Sequence, residues 1–259
     1  MSPRSLLFVP AKEKMLRKIG TLGSDAYIID LEDSIEESDK EAALELVKRV
    51  LKELRKEKFT VIIRVNKERY LKEISELKRY DVTFMLPKYE KCSDYSELPE
   101  DMNFIALIET PLGIINTVKI ASNPKISALA FGAEDFTASI GMENNFRLLQ
   151  YPKSILVVNA KAFGKKVFDT PSFKLGNIEE FEQEVENAKA LGFDGKMAIN
   201  PKHIEFINKS FATANKEYIE KIIRIYEACG EAVQMIDGNI YEKMHINHFK
   251  KILKESVGN

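Results

Sequence analysis

The chain has 259 residues, 44% of them hydrophobic, and its charged residues, 31% of the total, nearly cancel to a net charge of -1. That composition supplies a large soluble core and, lacking a basic field, excludes a nucleic-acid or membrane-surface binder. Cys92 and Cys229 lie outside any CxxC and no apolar run reaches membrane-span length, which points to a reduced, cytoplasmic setting.

Ser5–Pro10 reads as a first strand, followed by a short basic helix over residues 12–20. Residues 26–29 form a second strand that ends in Asp30-Leu31-Glu32-Asp33. Ser38 and Glu41 then match a capping box ahead of a helix whose Ala43, Val47, Val50 and Leu54 recur at helical spacing. Residues 61–63 and 82–86 are the third and fourth strands, closed by Arg64-Val65-Asn66 and Pro87-Lys88, with a helix over 70–79 between them. Residues 89–103 are polar and weakly helical. The apolar runs 105–108 and 128–131, separated by an amphipathic segment, end in Glu109-Thr110-Pro111 and Gly132-Ala133-Glu134-Asp135. A helix from Pro152, a strand over 166–168, a helix between Asn177 and Gly192, and a strand over 197–199 follow.

Eight strand-like runs with intervening helical segments are the pattern of a (β/α)8 barrel, which takes about 250 residues as one domain. A doubly wound sheet is the rival, but no G-x-G-x-x-G follows the first strand. Residues 1–229 are assigned to the barrel and 230–259 to a C-terminal extension, whose apolar Ile246, Phe249, Ile252 and Leu253 pack on the chain's own or a neighbouring barrel.

A barrel carries its chemistry at the C-terminal ends of its strands. The residues delivered there include Asp30, Glu32, Asp33, Arg64, Lys88, Glu109, Glu134, Asp135, Asp169 and Asn200. Glu109 and the Glu134-Asp135 pair leave consecutive strands on one edge, with Gly132 allowing close backbone approach, and suit a hard divalent cation. The guanidinium of Arg64 suits a carboxylate. Each acid taken singly serves equally well as a helix cap, as do Asp169 and Asn200. Lys88 offers a rival Schiff-base chemistry. No nucleophile elbow, P-loop or zinc motif occurs.

The ordered segments Arg4-Ser5-x-Leu7-Phe8-Val9-Pro10, Asp30-Leu31-Glu32-Asp33, Arg64-Val65-Asn66, Pro87-Lys88, Ile108-Glu109-Thr110, Gly132-Ala133-Glu134-Asp135 and Gly192-Phe193-Asp194-Gly195-Lys196 span almost the whole chain. They resemble the citrate lyase beta-subunit-like family of carbon–carbon lyases, within the HpcH/HpaI aldolase superfamily. The resemblance implies a barrel, usually oligomeric (a trimer or larger homo-oligomer), that uses Mg2+ to cleave a citryl-, malyl- or citramalyl-CoA type thioester into a 2-oxo acid and acetyl-CoA. It assigns the metal to Glu109 and Asp135 and the substrate acid to Arg64. Around them, Lys88, Gly132, Ala133 and Glu134 are expected to line the substrate, Asp30, Glu32 and Asp33 to hold the metal's waters, and Lys12 and Lys14 to meet the CoA phosphates. Departures from the family pattern are Ala11 for a common Gly, Lys153 near a common Arg, and Asn200-Pro201 for His-Pro. Three alternatives stay open: a citrate lyase beta subunit acting on an acyl-carrier-protein thioester, a class II aldolase acting on free 2-oxo acids, and a catalytically silent assembly subunit.

Overall fold

The computed structural model describes residues 3–54, 60–173, 176–212 and 216–257. Eight parallel strands pair in sequence order and close into a barrel: β1 (Ser5–Pro10), β2 (Ala26–Asp30), β3 (Thr60–Arg64), β4 (Thr83–Leu86), β5 (Phe104–Ile108), β6 (Ile126–Phe131), β7 (Lys166–Asp169) and β8 (Gly195–Ala198). Closure comes from β8 returning to β1, where Lys196 lies opposite Ser5. The barrel expected from the eight apolar runs is therefore the fold observed. Around it run α1 (Glu13–Leu16), α2 (Lys40–Leu54), α3 (Tyr70–Leu77), α4 (Pro111–Ile115), α5 (Thr117–Ser122), α6 (Ala133–Ile140), α7 (Gln150–Ala162), α8 (Ile178–Leu191) and α9 (Ile204–Ser210).

Side chains alternate along each strand, so two apolar layers form. Leu6, Ile28, Ile62, Met85, Leu107, Ala130, Phe168 and Met197 pack together inside the barrel. Their neighbours Leu7, Ile29, Ile63, Leu86, Ile108, Phe131 and Val167 belong instead to the layer beneath the helices. This two-residue repeat decides which strand-end groups can reach the mouth.

Several local expectations change. The basic helix over 12–20 contracts to the single turn of α1. Ser38 lies within a 3-10 turn, Glu37–Asp39, that runs straight into α2, so no capping box forms there. Glu41 instead pairs with Arg69 at 3.1 Å and Lys72 at 2.6 Å. The segment between β5 and β6 is two helices broken at Asn116, the first capped by Thr110, whose Oγ1 accepts from the Gly113 amide at 3.1 Å. Asn177 caps α8 as expected, accepting from the Glu180 amide at 3.1 Å.

The chain divides into compact units Ser2–Phe211 and Ala212–Asn259, a boundary earlier than the one after Cys229 read from the sequence. The second unit contains α10 (Lys216–Cys229), β9 (Val233–Ile236), β10 (Asn239–Glu242) and α11 (Lys243–Val257). Its strands form an antiparallel hairpin about Asp237 and Gly238, whose φ values of 49° and 80° are those of a primed turn. Ile246 and Phe249 pack with Ile222, Ile236 and Tyr241, so the stripe expected to lie on a barrel is covered within its own unit. The Ile252 side chain lies outside the described residues. Among the described residues no helix is long and apolar enough to cross a membrane.

Candidate active site

One step beyond the inner core, the alternation turns Asp30, Arg64, Glu109 and Gly132 toward the barrel axis, directly after Ile28, Ile62, Leu107 and Ala130. These four residues line a cavity of about 560 Å3 together with Phe8, Asp33, Glu134, Asp135, Thr170, Phe173 and Met197. The same alternation turns Asp169 outward, where it is fully buried behind the barrel wall, and Asn200 caps a 3-10 turn by accepting from the Lys202 amide at 3.1 Å. Neither of these enters the cavity.

Arg64, 8% exposed, spends its fork on protein acids. Nε donates to Asp30 Oδ1 at 2.7 Å and Nη2 to Asp30 Oδ2 at 2.9 Å, while Nη1 lies 3.1 Å from Glu32 Oε2 and 2.9 Å from Asp33 Oδ2. Its guanidinium also sits 5.2 Å from the centre of the Phe8 ring. Its hydrogen bonds are the two to Asp30, whereas the Nη1 contacts are ion pairs, Glu32 Oε2 having no hydrogen-bond partner among the described residues. The bidentate clamp expected for a substrate carboxylate is thus occupied by Asp30. Asp30 in turn accepts from the Glu32 and Ser34 amides at 3.0 and 3.1 Å. Despite its burial, Arg64 and these hydrogen bonds hold its carboxyl below the usual range.

Glu109 is 3% exposed and is oriented by the Lys88 amide, which donates to Oε1 at 2.7 Å. Lys88 adopts a left-handed φ of 49° to make that bond. Burial first, and then Glu32 and Asp135, push the Glu109 carboxyl up to about 8. Burial likewise raises Glu32 to about 7, against the pull of Arg64. The Lys88 ammonium, 3.5 Å from Glu32, loses to desolvation but gains more from Glu32, Asp33, Asp135 and Glu109, and ends above its ordinary value. A lysine held charged in this way is a poor Schiff-base nucleophile.

Gly132 is required by this geometry, because a Cβ there would stand 2.6 Å from both Cβ and Oε2 of Glu109. Gly132→Ala is expected to leave the barrel folded, as shown by its circular dichroism, but to displace Glu109 and weaken divalent-cation binding about tenfold or more in calorimetry. Unchanged cation affinity would show that Glu109 is not a ligand.

The remaining expected residues are placed less centrally. Asp135 sits half-buried in the first turn of α6, and Glu134 is exposed, accepting from Asn144 Nδ2 at 2.5 Å. The Ala133 amide is committed to Thr170 Oγ1 at 3.1 Å. Lys12 and Lys14 are exposed after β1 and do not line the cavity. One buried cluster was not anticipated as a unit. Asp169 accepts from Lys196 at 2.6 Å and is ion-paired through Oδ1 with Lys153 at 2.8 Å, all three being essentially inaccessible. The signal available in the sequence was parity, since Asp169 and Lys196 both occupy outward positions and therefore face the helix layer.

A divalent cation fits the mouth. Asp30, Glu32, Asp33, Glu109 and Asp135 outnumber Arg64 and Lys88, and burial, reinforced by neighbouring acids, raises the pKa of Glu32 and Glu109. Among the described residues no cage of three or more His, Cys, Asp or Glu side chains is formed. Glu109 and Asp135 alone leave most of a coordination sphere to water and ligand, which suits a hard cation with oxygen donors.

A closed parallel barrel with acids converging at the ends of β5 and β6 is a scaffold suited to metal-assisted chemistry on a small molecule. Residues 4–201 match the HpcH/HpaI aldolase/citrate lyase family, and the chain belongs to that family. It is 27% identical to the citrate lyase subunit beta of Leuconostoc mesenteroides subsp. cremoris, over 99% of this chain and 94% of that one. It is 29% identical to a (3S)-malyl-CoA thioesterase of Cereibacter sphaeroides, over 94% of this chain and 90% of the relative. Its fold superposes with a TM-score of 0.68 on the protein CitE of Mycobacterium tuberculosis in complex with magnesium and acetoacetate, at 27% identity, covering 80% of this chain and 90% of CitE.

Proposed function

We propose that the chain is a Mg2+-dependent carbon–carbon lyase that cleaves a citryl-, malyl- or citramalyl-CoA type thioester into a 2-oxo acid and acetyl-CoA. The observation that carries this reading is the buried, backbone-oriented Glu109 beside Asp135 in a mouth with surplus negative charge. Magnesium in the CitE complex and the thioester in the name of the Cereibacter relative support it. Glu109 and Asp135 would hold the ion, which when bound supplies Lewis-acid charge to the substrate's oxygens. The chain's other groups position and desolvate. Arg64 gathers Asp30, Glu32 and Asp33, while Phe8, Leu107, Phe173 and Met197 exclude water. In cleavage the substrate hydroxyl loses its proton and becomes the carbonyl of the 2-oxo acid. The electron pair of the broken C–C bond passes to the thioester α-carbon, which then takes up a proton.

The test is incubation of the purified protein with each thioester, with Mg2+ or EDTA, measuring acetyl-CoA and the matching 2-oxo acid. Absence of cleavage of every CoA thioester would defeat the reading. Cleavage confined to thioesters on an acyl carrier protein would move the chain to the citrate lyase beta-subunit role named by the Leuconostoc relative. Release of free CoA without acetyl-CoA would instead mark a thioesterase. Light scattering checks the proposed homo-oligomer.

The titration of the mouth adds a further expected result. Glu109 and Glu32 have folded pKa values of about 8 and 7, above the ordinary 4.5, so their protonated forms stabilise the metal-free fold. That contribution is fully present below about pH 4.5 and is lost as pH rises through 7 and 8. The Tm in EDTA should therefore fall across that window, and the Tm rise produced by Mg2+ should grow across it, as read by differential scanning fluorimetry. A Mg2+ shift independent of pH would remove these acids from the cation site.

A further inference from the structure

A second cavity of about 160 Å3 adjoins the first, with Glu134, Thr170, Pro171 and Phe173 lining both. Its own wall includes Lys153 and Ser172, 1% and 2% exposed. Among the described residues the Ser172 hydroxyl has no hydrogen-bond partner, a costly state for a buried polar group. The cations near the two cavities differ in what they have left to donate. Lys88 stays at the mouth, 3.5 Å from Glu32, and does not line the side chamber. Arg64 gives its two hydrogen bonds to Asp30 and sets its remaining nitrogen against Glu32 and Asp33. Lys196 spends its ammonium on Asp169 at 2.6 Å, the Thr170 carbonyl at 2.7 Å and, more distantly, Glu184 at 3.9 Å. Among the described residues the Lys153 ammonium is ion-paired with Asp169 alone, at 2.8 Å, and has no hydrogen bond. Two acids also lie on the wall: Glu134 accepts from Asn144 at 2.5 Å through one oxygen, and Glu184 stands 3.9 Å from Lys196.

The two most deeply buried polar side chains of this chamber, Lys153 and Ser172, can both donate, one of them as a cation, and a carboxylate, which only accepts, is their complement. A water takes about 30 Å3 of liquid volume, so the chamber has room for a carboxylate arm. Resting on the lyase reading, we infer that this side chamber receives a second, distal carboxylate of the 2-oxo acid portion of the substrate, with Lys153 and Ser172 determining that specificity. The inference assigns this chain to oxo acids with a terminal acid group and gives Arg64 no part in holding that group. Burial pulls the Lys153 ammonium down while Asp169 supports its charge and Lys196 opposes it, so an entering carboxylate would restore what burial removes.

The test measures binding rather than turnover, by calorimetry in Mg2+, with two matched pairs of acids: oxaloacetate against 2-oxobutyrate and 2-oxoglutarate against 2-oxopentanoate. In at least one pair the dicarboxylic acid is expected to bind about tenfold tighter, and Ser172→Val should bring that ratio towards one. Ser172→Val removes an unpartnered hydroxyl and puts no fold-critical bond at risk. Lys153→Met should have the same effect on the ratio if it folds. Ratios near one in the parent, or a parent ratio unchanged by Ser172→Val, would overturn the assignment. Discrimination that responds to Ser172→Val in a protein that cleaves no thioester would uphold the chamber and refute the lyase reading. Thioester cleavage with ratios near one would do the reverse.

Discussion

Glu109→Gln and Asp135→Asn are each expected to abolish Mg2+ binding and to lower turnover on the order of 10²–10³-fold or more, the scale of losing a principal source of transition-state charge. The fold should survive both changes. Gln at 109 keeps an oxygen for the Lys88 amide, now 2.7 Å from Oε1, and removes a charge that burial, Glu32 and Asp135 all disfavour. Metal-free Glu109→Gln should consequently melt above the metal-free parent at pH 8.5 and beyond, where the parent's carboxylate is ionised. A variant more stable and inactive is the outcome expected of a site whose repulsion is held for function. Calorimetry, steady-state kinetics and Tm check the three statements. Parent-like Mg2+ affinity in both variants would place the cation elsewhere.

Arg64→Lys is expected to damage stability and activity together. The sequence suggests a substrate-facing arginine, but the structure gives it Asp30 in a bidentate pair, with Glu32 and Asp33 on the third nitrogen. One ammonium cannot reproduce that fork, and leaving buried acids unpaired costs about 3–5 kcal/mol in comparable sites. The double variant Arg64→Lys with Asp30→Asn should recover part of the lost Tm, because the strongest unpaired charge is gone. Kinetics and melting of Arg64→Lys equal to the parent's, or no recovery in the double variant, would show that this ion cluster does not organise the mouth.

The strands were legible because a sheet covered on both faces requires uninterrupted apolar runs, and β1 falls on the residues the sequence suggested. The strand-end groups were legible in part. Reading the first polar residue after each run finds Asp30, Arg64 and Glu109, but it also collects Asp169 and Asn200, which the two-residue repeat removes from the cavity. Propensity placed a helix cap at Ser38, where the chain continues as a 3-10 turn. The hairpin at Asp237-Gly238 has a recognisable turn dipeptide, but its four-residue strands are too short to display a clear alternation. The partners of Arg64 and Lys153 were beyond periodicity, since they depend on which long side chains meet across the barrel and its outer layer.

Barrel closure carries a consequence for synthesis of the chain. β1 leaves the ribosome first, yet the partner of its second edge, β8, is among the last strands made, Ser5 waiting for Lys196. At about 5–20 residues per second the nascent protein exposes an apolar, hydrogen-bond-hungry edge for on the order of ten to forty seconds. Asp30, Arg64, Glu109 and Asp135 likewise come from strands made at widely separated times, so the mouth does not exist until the last seam is sewn. The cell must therefore shield a half-built barrel, and slow elongation or scarce chaperone should lower the yield of this protein through aggregation before any substitution in its active site is felt.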